Sequence, residues 1–171
     1  RPDDFLNWCA HVAQVSRLEN QLDVVRWNIH KGYLQDLERA GLDIVPTAFL
    51  EKGSDPDLKS IMDRRGWADV VVKPCISAAS ANTRRFTIDD APAGTDFLRS
   101  LASERDMMVQ LFMPSVDTPG SGERAAMLIG GELTHAIEKK PRFADDDESV
   151  SDELPVTDEE RDLFRRALAV V

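Results

Sequence analysis

Val70, Val71 and Val72 lead to Lys73 and Pro74, and beyond Cys75 and Ile76 comes a run of small residues, Ser77-Ala78-Ala79-Ser80-Ala81-Asn82-Thr83. That arrangement suits polyphosphate. Small side chains let backbone N–H groups approach phosphate oxygens, and a lysine on a rigid strand supplies a fixed positive charge beside them. The same residues also fit an ordinary strand that ends in a loop, with a lysine that reaches water along its own stem. Other chemistry-bearing residue types are sparse. Cys9 and Cys75 lie far apart and form no CxxC metal or redox spacing, so they read as reduced, buried thiols. His11, His30 and His135 have no metal-binding spacing and read as structural or surface residues. The run Asp145-Asp146-Asp147-Glu148 reads as a solvated loop, because Mg²⁺ takes a few ligands at octahedral angles rather than a charge cluster.

The positions of these residues depend on the elements around them. Phe5, Leu6, Trp8, Cys9, Val12 and Val15 recur at helical spacing and predict an amphipathic helix over residues 3–17, capped by Asp3 or Asp4. Tyr33, Leu34 and Leu37 share a face, which predicts a helix from residue 28 or 30 to residue 40, with Gly41 at the C-cap. A short strand is expected over 48–50, a helix over 56–65 capped by Ser54 or Asp55 and closed by Gly66, and a strand over 69–73. A helix over 95–104, with Thr95 as its cap, precedes an apolar strand over 107–113. Pro119-Gly120-Ser121-Gly122 is a turn, and residues 125–129 and 133–137 flank Gly130-Gly131 as a β-hairpin. Residues 142–155 carry little apolar content and read as exposed. Thr157-x-x-Glu160 forms a capping box ahead of Leu163, Phe164, Ala167 and Leu168.

With 171 residues, 42% hydrophobic and 30% charged, the chain has material for one substantial domain or for two small lobes sharing a core. Its 31 acidic against 21 basic residues give a net charge of −10. That balance argues against a nucleic-acid binder, which must neutralise phosphates, so any cationic site is local. No apolar run approaches the ~20 residues needed to span a bilayer, and the first residues lack the pattern of a signal peptide, so a cytoplasmic location is expected. Oligomeric state is not encoded in any recognisable pattern.

Helices interleaved with strands, then a hairpin and a candidate phosphate loop, point to an α+β nucleotide-binding module. Four blocks carry a resemblance. They are residues 27–34 (WNIHKGYL), 72–78 (VKPCISA), 109–116 (VQLFMPSV), and 122–141, from Gly122-Glu123-Arg124 through Gly130-Gly131 to Lys139-Lys140-Pro141. In this order over most of the chain they resemble the ATP-grasp superfamily, in its glutathione-synthetase-like and cycloserine-ligase-like branch. The resemblance implies two α+β lobes with ATP between them. Residues 1–46 form a helical linker and entry, 47–113 the small lobe with phosphate loop and hinge, and 114–171 the start of the second lobe.

On that resemblance Lys31 and Lys73 hold the phosphates, while Ser77, Ala78, Ala79 and Ser80 form the closing loop, with alanines where relatives often have glycines. The hinge strand presents its backbone to adenine through Gln110, Leu111, Phe112 and Met113, with Gln110 and Phe112 the main contributors. Asp117 fits either a ribose ligand or a plain turn. Glu123 and Arg124 could serve the site or simply begin the hairpin. Lys139 matches a cation that stabilises the transferred phosphoryl group, or else belongs to a solvated basic pair. Catalytic roles are accordingly expected at Lys139 and Arg124.

The family also implies an α/β substrate lobe before residue 1 and strands carrying Mg²⁺ ligands after residue 171, so the chain reads as a fragment with no metal ligands of its own. The activity implied is that of an ATP-dependent carboxylate-amine ligase working through an acyl phosphate, with ATP, a small carboxylate and an amine as partners. The alternative is a nucleotide-binding module without ligase activity. An acidic scaffold that binds another protein has no positive motif behind it.

Overall fold

Residues 1–78, 80–117, 123–139 and 150–171 are described in a computed structural model of the protein. Ala79, the turn at 119–122, Lys140, Pro141 and the acidic run 145–148 lie outside them. The element order is α1 (Pro2–Val15), α2 (Leu22–Asn28), α3 (Tyr33–Arg39), β1 (Thr47–Leu50), α4 (Leu58–Arg65), β2 (Asp69–Pro74), β3 (Arg84–Thr87), α5 (Ala91–Ala102), β4 (Met107–Leu111), a 3₁₀ turn (Pro114–Asp117), β5 (Glu123–Ile129), β6 (Glu132–Lys139) and α6 (Asp158–Leu168). The fold is α+β. No helix among the described residues is long and apolar enough to cross a membrane.

Four strands form one antiparallel sheet in the order β1-β4-β2-β3. Because side chains alternate along a strand, β2 sends Val70, Val72 and Pro74 to one face and Val71 and Lys73 to the other. The first face packs on α4 and α5. Leu58, Met62, Leu98, Met107, Val70, Val72 and Val109 are fully buried there. Helices α4 and α5 thus cover one face, and Lys73 lies on the other. A one-residue slip of β2 would drive Lys73 into the core, so the burial of these valines fixes the lysine's direction.

Several boundaries follow from contacts that lie far away in sequence. The single helix expected over residues 28–40 is two helices, α2 and α3, with residues 29–32 between them. Lys31 therefore lies on a turn rather than on a helix face. Its N–H donates to the carbonyl of Cys75 (2.9 Å), a partner 44 positions away, so it is not committed to a helical carbonyl. The cap of α4 is Asp57, which accepts from the Ser60 N–H, rather than Ser54 or Asp55.

Thr95 does not start a helix. It sits inside α5, whose first turn carries Pro92, and its hydroxyl accepts the Leu58 N–H of α4 (3.0 Å). A side chain of one helix thus satisfies an orphan donor of another. Strand β3 was not expected, because Arg84 and Arg85 hide it; charged residues on an edge strand guard against strand addition. The hinge strand ends at Leu111 rather than residue 113.

The hairpin β5-β6 is longer than expected, running from Glu123↔Lys139 to Ile129↔Glu132 with a bulge between Met127 and Leu128. Val150 and Leu154 add isolated bridges to Lys139 and Ala136. At α6 the capping box is complete, with Thr157 accepting from Glu160 N–H and Glu160 accepting from Thr157 N–H.

Candidate functional site

A cleft of about 640 Å³ opens on the Lys73 face of the sheet, beside the start of α3. Val71 and Lys73 of β2 and Gln110 of β4 line it from the sheet, with Val45. Lys31, Tyr33 and Leu34 line it together with Ser77, Ala78, Ser80 and Thr83, and Lys31 bonds directly to Ser77. The chain after β4, from Phe112 to Val116, and Glu123 complete the lining, while the Leu111 side chain turns to the core. Segments more than 90 residues apart, from Lys31 to Glu123, therefore meet in one concave site, the kind of place where small ligands bind.

Lys73 extends across the floor and donates to Gln110 Oε1 (2.8 Å). Gln110 Nε2 in turn donates to Thr47 Oγ1 (2.9 Å), and that hydroxyl donates to the Val45 carbonyl (2.7 Å). This relay fixes the ammonium by three bonds that need only neutral partners. Burial pushes Lys73 below the ordinary lysine range, and the Lys31 charge pushes the same way, while Glu123 and Cys75 oppose them. Lys31 is also lowered by burial, against the pull of Cys75, and its ammonium donates to the Ser77 carbonyl (3.3 Å) and hydroxyl (3.0 Å). Two part-buried cations with neutral hydrogen-bond partners make a site short of negative charge, the electrostatic complement of a polyanion.

The loop after β2 is built without glycine. Ser80 (φ 55°) and Asn82 (φ 57°) adopt the left-handed conformation. Asn tolerates that region better than most side chains, so the alanine-rich loop obtains its reversal from these two positions. Cys75, just before the loop, is buried, and burial and Asp106 push its thiol up to about 11. At neutral pH it is an uncharged packing group and no nucleophile.

Of the expected site residues, Lys31, Lys73, Ser77, Ala78, Ser80, Gln110, Leu111, Phe112 and Met113 come together in the cleft. What Gln110 and Phe112 offer differs from the expected backbone contacts. The Gln110 backbone is paired on both sides within the sheet, so its side chain is what faces the cleft. The Phe112 N–H donates to Asp69 O (3.0 Å), and its ring stacks under the Arg85 guanidinium at 3.5 Å. Asp117 ends the 3₁₀ turn that follows the hinge.

Arg124 stands apart from the cleft. Its guanidinium is held by both oxygens of Glu160 and by the Pro155 carbonyl, on the α6 side of the hairpin. The expected catalytic contact for Arg124 thus meets a residue committed to tertiary structure. Alternation along β5 turns its neighbour Glu123 to the cleft instead. Lys139 pairs directly with Glu123 in the ladder, which puts the two on one hairpin face, although Lys139 does not line the cleft itself.

Sequence reasoning had passed over Tyr33, Thr83 and the preference for Glu123 over Arg124. The phase of β5 carried the last of these, but the strand's start at Glu123 had first to be known. Burial and the Glu123 charge raise Tyr33, which also packs on Trp27 at 5.0 Å. Among the described residues, no group of three or more His, Cys, Asp or Glu side chains could hold a metal ion, and Glu123 is the one carboxylate lining the cleft. A single carboxylate does not make a Mg²⁺ site.

Comparison with known proteins gives one consistent answer. No family model matches the chain. It is 33% identical over 144 residues to the cycloserine biosynthesis protein DcsG of Streptomyces lavendulae, which spans 81% of this chain and 47% of that protein. The crystal structure of D-cycloserine synthetase DcsG superposes with a TM-score of 0.84 at 27% identity, over 98% of this chain and 59% of that one. A RimK domain protein ATP-grasp from Sphaerobacter thermophilus DSM 20745 gives a TM-score of 0.69 at 16% identity, covering 97% of this chain and 59% of that one. The ATP-grasp ligase PsnB, in a complex with a minimal precursor, Mg and ADP, gives 0.55 at 19% identity, over 84% and 42%. The chain thus spans about half the length of the curated relative it matches.

Proposed function

We propose, since this chain belongs to the ATP-grasp superfamily, that its protein is an ATP-dependent ligase that joins a carboxylate to an amine or similar nucleophile through an acyl phosphate. The observation that carries the proposal is the convergence of Lys31 and Lys73, from elements more than forty residues apart, on a cleft where Glu123 is the one anion among the described lining residues. A triphosphate there gains two part-desolvated charge-assisted contacts. The small side chains of Ser77, Ala78 and Ser80 leave its oxygens room to approach the backbone, and the apolar side chains of Val45, Val71 and Met113 suit a base.

In the reaction, a carboxylate oxygen of the substrate attacks the γ-phosphorus and the bond to ADP breaks, which turns a poor electrophile into a mixed anhydride. The nucleophile then adds to the carbonyl carbon, inorganic phosphate leaves, and the nitrogen loses a proton to give the amide-type product. The protein's share is positioning and charge neutralisation. Lys31 and Lys73 hold the phosphates, and Lys139, on the hairpin face with Glu123, approaches the transferred group. The ADP and Mg of the related PsnB complex make a divalent cation the expected companion of ATP. The described cleft residues do not by themselves form its site.

The test uses the full-length protein with ATP, Mg²⁺ and a panel of carboxylates and amines. Phosphate release that needs both substrates, with hydroxamate formation when hydroxylamine replaces the amine, is the expected result. Turnover of ATP to phosphate with no hydroxamate would remove the acyl phosphate. Tight ATP binding with no turnover across the panel would favour the nucleotide-binding module.

A further inference from the structure

Asp106 is the residue before β4, outside the cleft, yet it contacts both lysine-bearing segments. Its Oδ2 receives the His30 Nε2 at 3.2 Å and its Oδ1 the Lys52 N–H at 2.7 Å. Its main-chain oxygen accepts the Cys75 N–H at 2.9 Å. Cys75 lies two residues beyond Lys73 and returns a bond through its own carbonyl to the Lys31 N–H. On the other side of the ring, His30 Nδ1 accepts the Gly32 N–H at 3.0 Å. The imidazole therefore spans the turn, bonded to the residue after Lys31 and to the strand entry.

These bonds select one tautomer. An N–H pointing at Nδ1 requires a lone pair there, so the ring hydrogen sits on Nε2 and is donated to the carboxylate. Gly32 supplies further evidence that the ring's seat is specified. Its φ of −57° is open to any residue, but a Cβ would lie 2.7 Å from His30 Nδ1. Glycine is needed here for the close approach of the ring, with no demand from the backbone.

Taking the nucleotide reading above as its basis, we infer that His30 and Asp106 are positioning residues that hold Lys31 toward the phosphates of the bound nucleotide, with Gly32 making room for the ring. Lys31 has four methylenes of freedom. Its usefulness as a fixed charge depends on a turn that does not move; the Leu34 N–H bond to the Lys31 carbonyl (3.2 Å) ties that turn to the start of α3, and the His30–Asp106 contact ties it to the sheet. The clip ties it to the same strand entry that anchors the end of β2, so the two cations keep a constant separation.

The experiment compares His30→Gln, which keeps a donor for Asp106 and loses the acceptor for Gly32, with His30→Asn, which does the reverse, in the full-length protein. His30→Gln is expected to weaken ATP binding about three- to tenfold, the fold-change of one lost neutral hydrogen bond, and His30→Asn by more, because the bond it loses is to the Asp106 carboxylate. In a Lys31→Ala background neither should weaken it further, because the histidine acts only through that lysine. The ¹⁵N spectrum of the neutral His30 ring should show an unprotonated Nδ1. In Asp106→Ala the preference for that tautomer should weaken, since the acceptor of the Nε2–H is gone.

Additive losses in the double variants would overturn the inference, as would an Nδ1–H tautomer in the wild type or a Lys31→Ala variant that binds ATP normally. A wild-type protein that binds no ATP overturns the nucleotide reading and this inference with it. Binding by the wild type with additive doubles overturns the inference alone.

Discussion

Replacing Lys73 by methionine should separate binding from stability, with opposite signs. The ammonium is part-buried, close to Lys31, and its hydrogen bond goes to the neutral Gln110 Oε1. In the free protein, removing it relieves a desolvated charge and a like-charge repulsion while keeping the side chain's length and apolar contacts. Exchanging buried charged groups for hydrophobic ones of similar volume is often neutral to stabilising, by about 1–4 kcal/mol at the upper end. The lost hydrogen bond costs about 1 kcal/mol, and less here because water in the open cleft can reach the glutamine oxygen. A net gain of about 1 kcal/mol is expected, or roughly 2–4 °C in Tm for a domain of this size.

Binding goes the other way. A charge-assisted contact to phosphate is worth roughly 1.5–3 kcal/mol, so ATP should bind about ten- to 150-fold more weakly. The pH dependence gives a second check on the cause. The folded pKa of Lys73 lies below its unfolded value, so between the two the unfolded chain binds more protons and wild-type stability rises with pH. The Tm advantage of the methionine variant should therefore shrink as pH is raised toward that of an ordinary lysine. Thermal melts across pH and titration calorimetry with ATP measure both. A variant that is less stable than the wild type at neutral pH, or that binds ATP equally well, would refute the reasoning.

Gln110→Leu removes the acceptor of the Lys73 ammonium and cuts the relay to Thr47 while leaving both lysines in place. It should weaken ATP about three- to tenfold with little change in Tm, measured by the same titration. Gly94→Ala sets helix propensity, a gain of up to about 1 kcal/mol, against a Cβ 2.4 Å from Leu58 Cδ2 and 3.0 Å from the Phe86 ring. Leu58 is fully buried and cannot retreat, so overpacking of about 1–3 kcal/mol wins, and a lower Tm is expected by calorimetry. Arg124 and the Thr157 N–H hold Glu160 at about 2, below the 4.5 of a free glutamate. That stabilisation is complete above about pH 4.5 and is lost as pH falls toward 2. The Tm deficit of Glu160→Gln at neutral pH should close over this interval in acid melts.

Much of the architecture was legible in local pattern. The capping box at Thr157, the glycine pair of the hairpin and the valine run of β2 each state their own element, since capping, turn and alternation are short-range rules. The lysine and small-residue loop were readable for the same reason. Other features had no local signature. The break between α2 and α3 and the service of Thr95 to a different helix depend on partners far along the chain.

The sequence by itself determined that Lys73 ends an apolar strand before a loop of small residues, because two-residue alternation and side-chain size are properties of neighbours. The tertiary structure decided which other residues join it. Lys31 enters the cleft because its turn bonds to Cys75 and, through His30, to Asp106. Glu123 faces the cleft, and Arg124 does not, because the ladder begins at Glu123 and Glu160 holds the arginine on the other side. Such choices rest on hydrogen bonds and strand phase set by the packed chain, and no run of adjacent residues contains them.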